Sequence, residues 1–366
     1  MDPTFEYIFP AIRGIQAKRE YFVSMCPLRL IPKIFIWDEA DLPPELRAQR
    51  ILNKARIPEI SRYLVDGQDR YVFSAITASI DGEVRFEAIG EQDTASRVGS
   101  LHISMNARFI INDGQHRRAA IEAALQQEPS LGDETIAVVF FLDKGLVRCQ
   151  QMFADLNRYA VRPSRSLGLL YDSRDETARV VKLIALKSHA FKNIVEMEKS
   201  TLSARSRKLF TLSAIYTATS SLFQGIETET EEERASLAEE FWNEVSQNIP
   251  EWRLVKEREI TAGEVRQDFI HSHGVALHAM GRVGNELVRH HSKDWKVILK
   301  KIKTIDWTRT NSELWEGRAM VLGRVSKANQ SVVLTTNVLK KHLGLKLTGE
   351  EQSIEEAFLR GEHGQI

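Results

Sequence analysis

Cysteine is nearly absent from the 366 residues, with only Cys26 and Cys149 present. Two thiols so far apart exclude a disulfide framework and a Cys-rich zinc site, and make a reducing cytoplasm the expected compartment. Long apolar runs are missing as well. No uncharged apolar stretch reaches the roughly 18 residues that would suggest a membrane span. The first thirty residues place Arg13, Lys18, Arg19 and Glu20 between short apolar pieces, which is not a signal-peptide pattern. Net charge is lacking too: 50 Lys and Arg face 50 Asp and Glu, which argues against a uniformly basic nucleic-acid coat. There is no phosphate loop of the Gly-x-x-x-x-Gly-Lys-Ser/Thr type, no Gly-x-Gly-x-x-Gly, no His-Glu-x-x-His and no Gly-x-Ser-x-Gly. P-loop NTPase, Rossmann dehydrogenase, zincin and α/β-hydrolase readings therefore have no support.

What is present is ordinary soluble-protein material, 43% hydrophobic and 27% charged, long enough for two domains. Residues 1 to about 145 read as mixed α and β. Residues 30–37 look strand-like, and Pro43-Pro44 opens a polar helix to residue 54. Residues 71–78 and 84–89 are rich in β-branched and aromatic side chains and flank Asp81-Gly82, the pattern of a hairpin. A third strand at 107–111 leads into a helix at 115–127, and the wholly apolar residues 136–142 suit a sheet centre. Beyond Gly145 helical periodicity takes over, at 148–157, 177–187, 211–223, 231–245 and 265–289. In the last of these Phe269, Ala276, Met280, Val283 and Leu287 share a face.

The neutral total hides segregation. Residues 158–208 hold twelve Lys and Arg against five acids, a net +7, and residues 227–244 hold one Arg against eight acids, a net −7. Residues 289–346 hold thirteen basic and four acidic residues, a net +9, and residues 350–366 return to −4. Solvated helix faces and a nucleic-acid surface both account for such blocks.

The sharpest local feature is the run from Phe109 to Ile121, in which an apolar strand meets Asn112-Asp113-Gly114 and a helix begins with Gln115, His116, Arg117 and Arg118. Helix N-termini favour acids, so bases there are unusual. Exposed N–H groups, the positive helix end and cationic side chains together make an anion site, and Gly114 lets a phosphate approach the backbone. Asp113 would cap the helix or hold a ribose or a metal-linked group. Against this stands a capped helix whose basic residues pair with nearby carboxylates. Asp66-Gly67-Gln68-Asp69-Arg70 echoes the motif without the His and reads as a turn.

The segment from Asn157 to Ser166 combines Arg158, Arg162 and Arg165 with a Tyr and small hydroxyls, the composition of a phosphate-contacting loop. Arg205, Arg207 and Lys208 form a weaker version, as do Lys300, Lys301 and Lys303; Arg318, Arg324 and Lys327 follow Trp315 at helical spacing. Arg29 and Lys33 near Cys26 would lower its pKa, although a buried structural thiol is the plainer expectation. His271, His273 and His278 do not share one helical face and no Cys joins them, so no metal is assigned.

Asp113-Gly114-Gln115-His116-Arg117 matches the signature of the DGQHR-domain proteins. Gln151 to Asn157, with Arg162, Ser164 and Ser166, resembles their second block. His271 to Gly274, Leu314 to Arg318 and Leu334 to Asn337 resemble the C-terminal part of the DndB family, regulators of bacterial DNA phosphorothioate modification. The resemblance implies an α+β fold: a ParB/sulfiredoxin-like mixed-sheet domain over residues 1–170, then a mainly helical domain over 171–366 with basic DNA-facing blocks. It implies that Gly114, His116 and Arg117 contact phosphate, with ATP or another nucleoside triphosphate and Mg2+ as ligands. Sulfiredoxins carry their catalytic Cys where this chain has Gln115, so sulfinate reduction is not expected. The implied function is a promoter-binding repressor of the phosphorothioation operon, tuned by nucleotide and acting as a homodimer. Two alternatives stay open: a weak NTPase using Asp113, Glu122 and Asp155, and a protein partner of the DNA sulfur-modification complex.

Overall fold

The computed structural model describes residues 5–35, 54–143, 148–158 and 163–361. They fall into two units, residues 1–161 and 162–366.

The first unit is built on a seven-stranded mixed sheet. Its strands are β1 (Glu6–Gln16), β2 (Arg19–Pro27), β3 (Ile76–Asp81), β4 (Val84–Ala88), β5 (Val98–Ser104), β6 (Arg108–Asp113) and β7 (Thr135–Leu142). The spatial order is β4-β5-β1-β2-β7-β3-β6, and only β3 with β7 is parallel. A two-residue turn joins β1 to β2: Gln16 faces Arg19, and both Ala17 and Lys18 take positive φ, as a hairpin with native twist requires. Among the described residues, the unit also holds helices α1 (Ile31–Ile34), α2 (Ile57–Val65), α3 (Gln115–Gln127) and α4 (Cys149–Arg158). Its core gathers Phe9, Phe22, Phe35, Ile76, Ile80, Leu101, Ile121 and Phe140, with the Phe9 and Phe140 rings 6.1 Å apart.

The expected strand at 107–111, the helix at 115–127 and the central strand at 136–142 are all present as β6, α3 and β7. Three expectations need correction. Residues 31–34 form helix α1 rather than a strand, with Pro32 in its first turn; a short apolar run carries no periodicity to distinguish the two. Residues 71–75 lie outside any strand, and β3 does not pair with β4. It sits between β7 and β6, whereas β4 pairs with β5 at the sheet edge. Gly82 serves close packing instead, since a Cβ there would stand 2.4 Å from Ala107 Cβ. The helix expected from Pro43 lies, up to residue 53, outside the described residues.

The second unit is mainly helical: α5 (Arg165–Tyr171), α6 (Glu176–Lys187), α7 (Leu212–Leu222), α8 (Glu231–Gln247), α9 (Pro250–Glu257), α10 (Ala262–Asp268), α11 (Gly274–His290), α12 (Trp295–Leu299), α13 (Ser312–Trp315), α14 (Asn329–Leu343) and α15 (Gly349–Leu359). Short strand pairs join β8 (Val195–Glu196) to β9 (Phe210–Thr211) and β10 (Met320–Val321) to β11 (Arg324–Val325). Helices α7 and α11 approach so closely that a Cβ on Gly281 would lie 2.0 Å from the Ala218 carbonyl oxygen. Trp242 and Trp252 fill the centre, and their indoles donate to Thr219 Oγ1 and His271 Nδ1. The helix expected over 265–289 is two helices, because the backbone at 269–273 turns aside to pair with another segment. Ile270 N–H donates to Trp307 O, and Arg309 N–H to Asp268 O. Phe269 therefore leaves the face it was expected to share with Met280.

Candidate phosphate turn and cationic surface

Strand β6 is buried from Phe109 to Asn112, and after Asp113 Gly114 takes φ +109°, a left-handed conformation that L side chains resist. The chain then enters α3 with no side-chain cap and no acid in the first turn. The turn is pinned from behind. Asn112, wholly buried, donates to Ser79 Oγ at 2.8 Å and accepts from Cys149 Sγ at 2.8 Å, which ties the end of β6 to β3 and α4. Nothing in the sequence marked Cys149 for this role.

The cations of the turn diverge. Arg117 folds back over Gly114, donating to Asp113 Oδ2 at 2.7 Å and to Ala75 O at 3.0 Å, while its Nε is buried without a partner. Arg118 points inward: it donates to Phe35 O at 3.0 Å and Pro32 O at 3.1 Å and pairs with Glu122. Gln115 and His116 are half-buried. The pairing of bases with nearby carboxylates, set beside the anion reading in the sequence, is thus present at both arginines: Arg117 with Asp113 at the end of β6, and Arg118 with Glu122 of its own helix. Asp113 remains about half exposed beside the uncapped helix start. Of the other acids considered, Glu122 is engaged by Arg118 and Asp155 accepts from Gln151 Nε2 at 2.7 Å.

The expected DNA contacts also scatter. Arg158 ends α4, and its side chain, like all of Arg162, lies outside the described residues. Arg165 is exposed at the start of α5, its guanidinium 5.7 Å from the centre of the Tyr216 ring. Arg205 and Arg207 lie on a loop whose carbonyls at 203, 204, 206 and 208 all accept from the single guanidinium of Arg266. Lys208 donates to Asn193 O. The run after Trp315 is a hairpin, not a helix. Arg324 is exposed on β11, whereas the Arg318 side chain is only 11% exposed and is bound bidentately by Glu355 at 2.9 and 3.0 Å. One cavity of about 210 Å³ brings Arg165 and Lys327 together, and adds His278, Ser213 and Thr217, which no spacing along the chain groups.

The charge blocks meet in space. Arg179 pairs with Glu231 and Arg234 with Glu176, each at 2.6 Å, and Lys296 pairs with Glu240. Lys340 reaches Glu351 at 2.7 Å and Lys341 reaches Glu355 at 2.6 Å. Burial alone would raise the Glu355 carboxyl, but Arg318, Lys341 and Asn337 together hold it down at about 2.

The remaining candidates are structural. Burial pushes the Cys26 thiol up to about 12, and Arg29 is engaged by Gly132 O and Asp133, so the expected lowering does not occur. His271 is wholly buried, accepting from Trp252. His273 Nε2 lies 2.8 Å from Arg266 O, and burial pushes its pKa down to about 4. Among the described residues no three His, Cys, Asp or Glu side chains converge as a metal site, and no helix is long and apolar enough to cross a membrane.

A family model, DndB, described as DNA-sulfur modification-associated, matches residues 9–346. No curated protein and no solved structure matches the chain.

Proposed function

The chain belongs to the DndB family of DNA-sulfur modification-associated proteins, and on that premise we propose that it is a cytoplasmic, duplex-binding repressor of the DNA phosphorothioation operon. In this reading a nucleoside triphosphate at the Gly114 turn biases the DNA-binding state, and a homodimer binds the promoter. The supporting observation is the turn itself: a left-handed Gly114 opens a 13-residue helix whose first N–H groups have no side-chain cap, beside an Arg117 with a buried, unpartnered Nε. A phosphate at those N–H groups would draw Arg117 from Asp113. The freed carboxylate would suit Mg2+, which is commonly held by one or two carboxylates plus substrate phosphates.

The test is promoter binding measured against salt, with and without ATP, for the wild type and for His116→Ala with Arg117→Ala. Contacts to several phosphates give a log affinity that falls with log salt by about 0.9 per phosphate neutralised. ATP should shift the wild-type curve and leave the double variant unmoved. No preference for promoter over random duplex would sink the repressor reading; unchanged nucleotide affinity in the double variant would sink the assignment of the turn.

A further inference from the structure

We propose that the helical unit holds a phosphate group in the cavity where α5, α7, α11 and the segment before α14 meet, gripped by Arg165, Lys327, His278 and the first turn of α11. The ligand class rests on the DNA-binding reading above, but the site lies in the other unit from the Gly114 turn.

Three observations carry it. The first is uncompensated charge. Arg165 and Lys327 line the cavity from different elements, no carboxylate lines it, and neither cation makes an ion pair among the described residues. This contrasts with Arg179, Arg234, Arg318, Lys340 and Lys341 of the same unit, all of which are paired with acids. The second is the helix end. α11 runs for 17 residues, has no acid in its first turn and no side-chain cap, because the His273 ring is turned to Arg266 O. Its first internal bond is Leu277 N–H to His273 O, and Gly274 and Val275, ahead of that bond, line the cavity. The third is Gly274. Its φ is not in the left-handed region, and a Cβ there would meet Ala214 Cβ and Lys327 Cε at an ordinary 3.7 Å. Neither backbone conformation nor close packing demands glycine, so the space it leaves belongs to the cavity.

The other lining groups suit an oxyanion. Ser213 Oγ accepts from Ser166 at 3.1 Å and sits 3.3 Å from Thr211 Oγ1, a pair in which either hydroxyl can donate, so Ser213 can turn its hydrogen to a ligand when Thr211 donates to it. Thr217 is spent on Ser213 O and serves as wall. Burial, Arg282 and Arg165 push the His278 pKa down, which leaves a neutral ring with one N–H to donate. At about 210 Å³ the cavity is smaller than the roughly 300–1,000 Å³ that whole drug-sized ligands occupy. It fits a phosphate group whose parent molecule continues outside, where a wider recess of about 520 Å³ along α7 shares Arg165 and Thr217. The phosphate comes from a DNA backbone or from a free nucleotide.

The experiment uses the full chain and two variants: Gly274→Asp, and Arg165→Gln with Lys327→Gln. An acid at the first helical residue is favoured by the helix dipole, so Gly274→Asp should keep its thermal midpoint while its carboxylate occupies the anion position. Probes are promoter duplex, random duplex, inorganic phosphate and ATP. A loss of roughly tenfold or more in duplex affinity in both variants, as for one charge-assisted contact, identifies a DNA phosphodiester. The same loss for phosphate and ATP with duplex binding intact identifies a nucleotide phosphate. If both variants bind all four probes as the wild type does, the cavity is not a phosphate site, even where promoter recognition holds. A wild type without promoter preference whose phosphate binding is lost in Gly274→Asp would instead overturn the repressor reading and keep the cavity.

Discussion

The Gly114 turn and the α11 cavity are both helix starts with cations beside them, and they treat those cations oppositely. At the turn Arg117 and Arg118 are engaged by Asp113 and Glu122 and by backbone carbonyls. At the cavity Arg165 and Lys327 have no acid partner among the described residues. The difference teaches that cationic sequence and cationic field are separate properties. Arginine presents several donors in a fixed fork, and a fold with buried carbonyls nearby uses them as struts. A ligand at the turn must displace an internal carboxylate. One at the cavity meets no lining carboxylate.

The largest effect that would sharpen this contrast comes from an internalised cation of the helical unit, Arg318. Glu355→Ala removes the partner of Arg318 and Lys341 and leaves a largely buried guanidinium uncompensated, so the helical unit should lose about 3–5 kcal/mol in urea unfolding. A loss below about 1 kcal/mol would mean that Arg318 finds water and belongs with the solvated cations. The pH dependence follows the same logic. His273 has a folded pKa of about 4, below its ordinary 6.5, so the unfolded chain binds the proton first and stability falls as pH drops from 6.5 to 4. Glu355, at about 2 against an ordinary 4.5, adds stability that is present above 4.5 and lost between there and 2. Circular dichroism at fixed urea should show two successive losses, and His273→Gln should shrink the upper one, to which buried His271 and His278, also pushed down, contribute the remainder.

A smaller effect belongs to the turn. Gly114→Ala forces a side chain into φ +109° and places its Cβ 3.0 Å from Ile76 Cγ1. The expected cost is about 1–2 kcal/mol, with nucleotide binding at the turn abolished and phosphate binding at the α11 cavity unchanged. A parallel fall at both places would end the separation of the two. The smallest effect is on stability at the 203–208 loop, where Arg205→Gln with Arg207→Gln should change unfolding by less than about 0.5 kcal/mol. If the loop touches DNA, the salt slope should become shallower by about 0.9 for each backbone phosphate that is no longer neutralised.

How much of this was legible depended on whether the deciding partner was local. The β6 strand, the Gly114 turn and α3 were readable because hydrophobic pattern, turn residue and helix period all lie within one stretch. The β1–β2 hairpin was not, since its turn uses Ala17 and Lys18 where Asn or Gly would signal positive φ. The break at 269–273 is imposed by residues 307–309, which no window on the helix contains. The site follows the same rule. Arg318 reads as a surface cation until Glu355 closes on it, and His278 and Ser213 join Arg165 only through the packing of α5, α7 and α11.

The clamp around Glu351 and Glu355 also sets an order of events during synthesis. A ribosome delivers Arg282, Arg318 and Lys341 before it delivers the two carboxylates that pair with them. A nascent helical unit therefore carries extra bare cations and an unfinished core until α15 emerges. Its charge pattern, and with it any discrimination between one polyanion and another, is acquired only once α15 has emerged and docked.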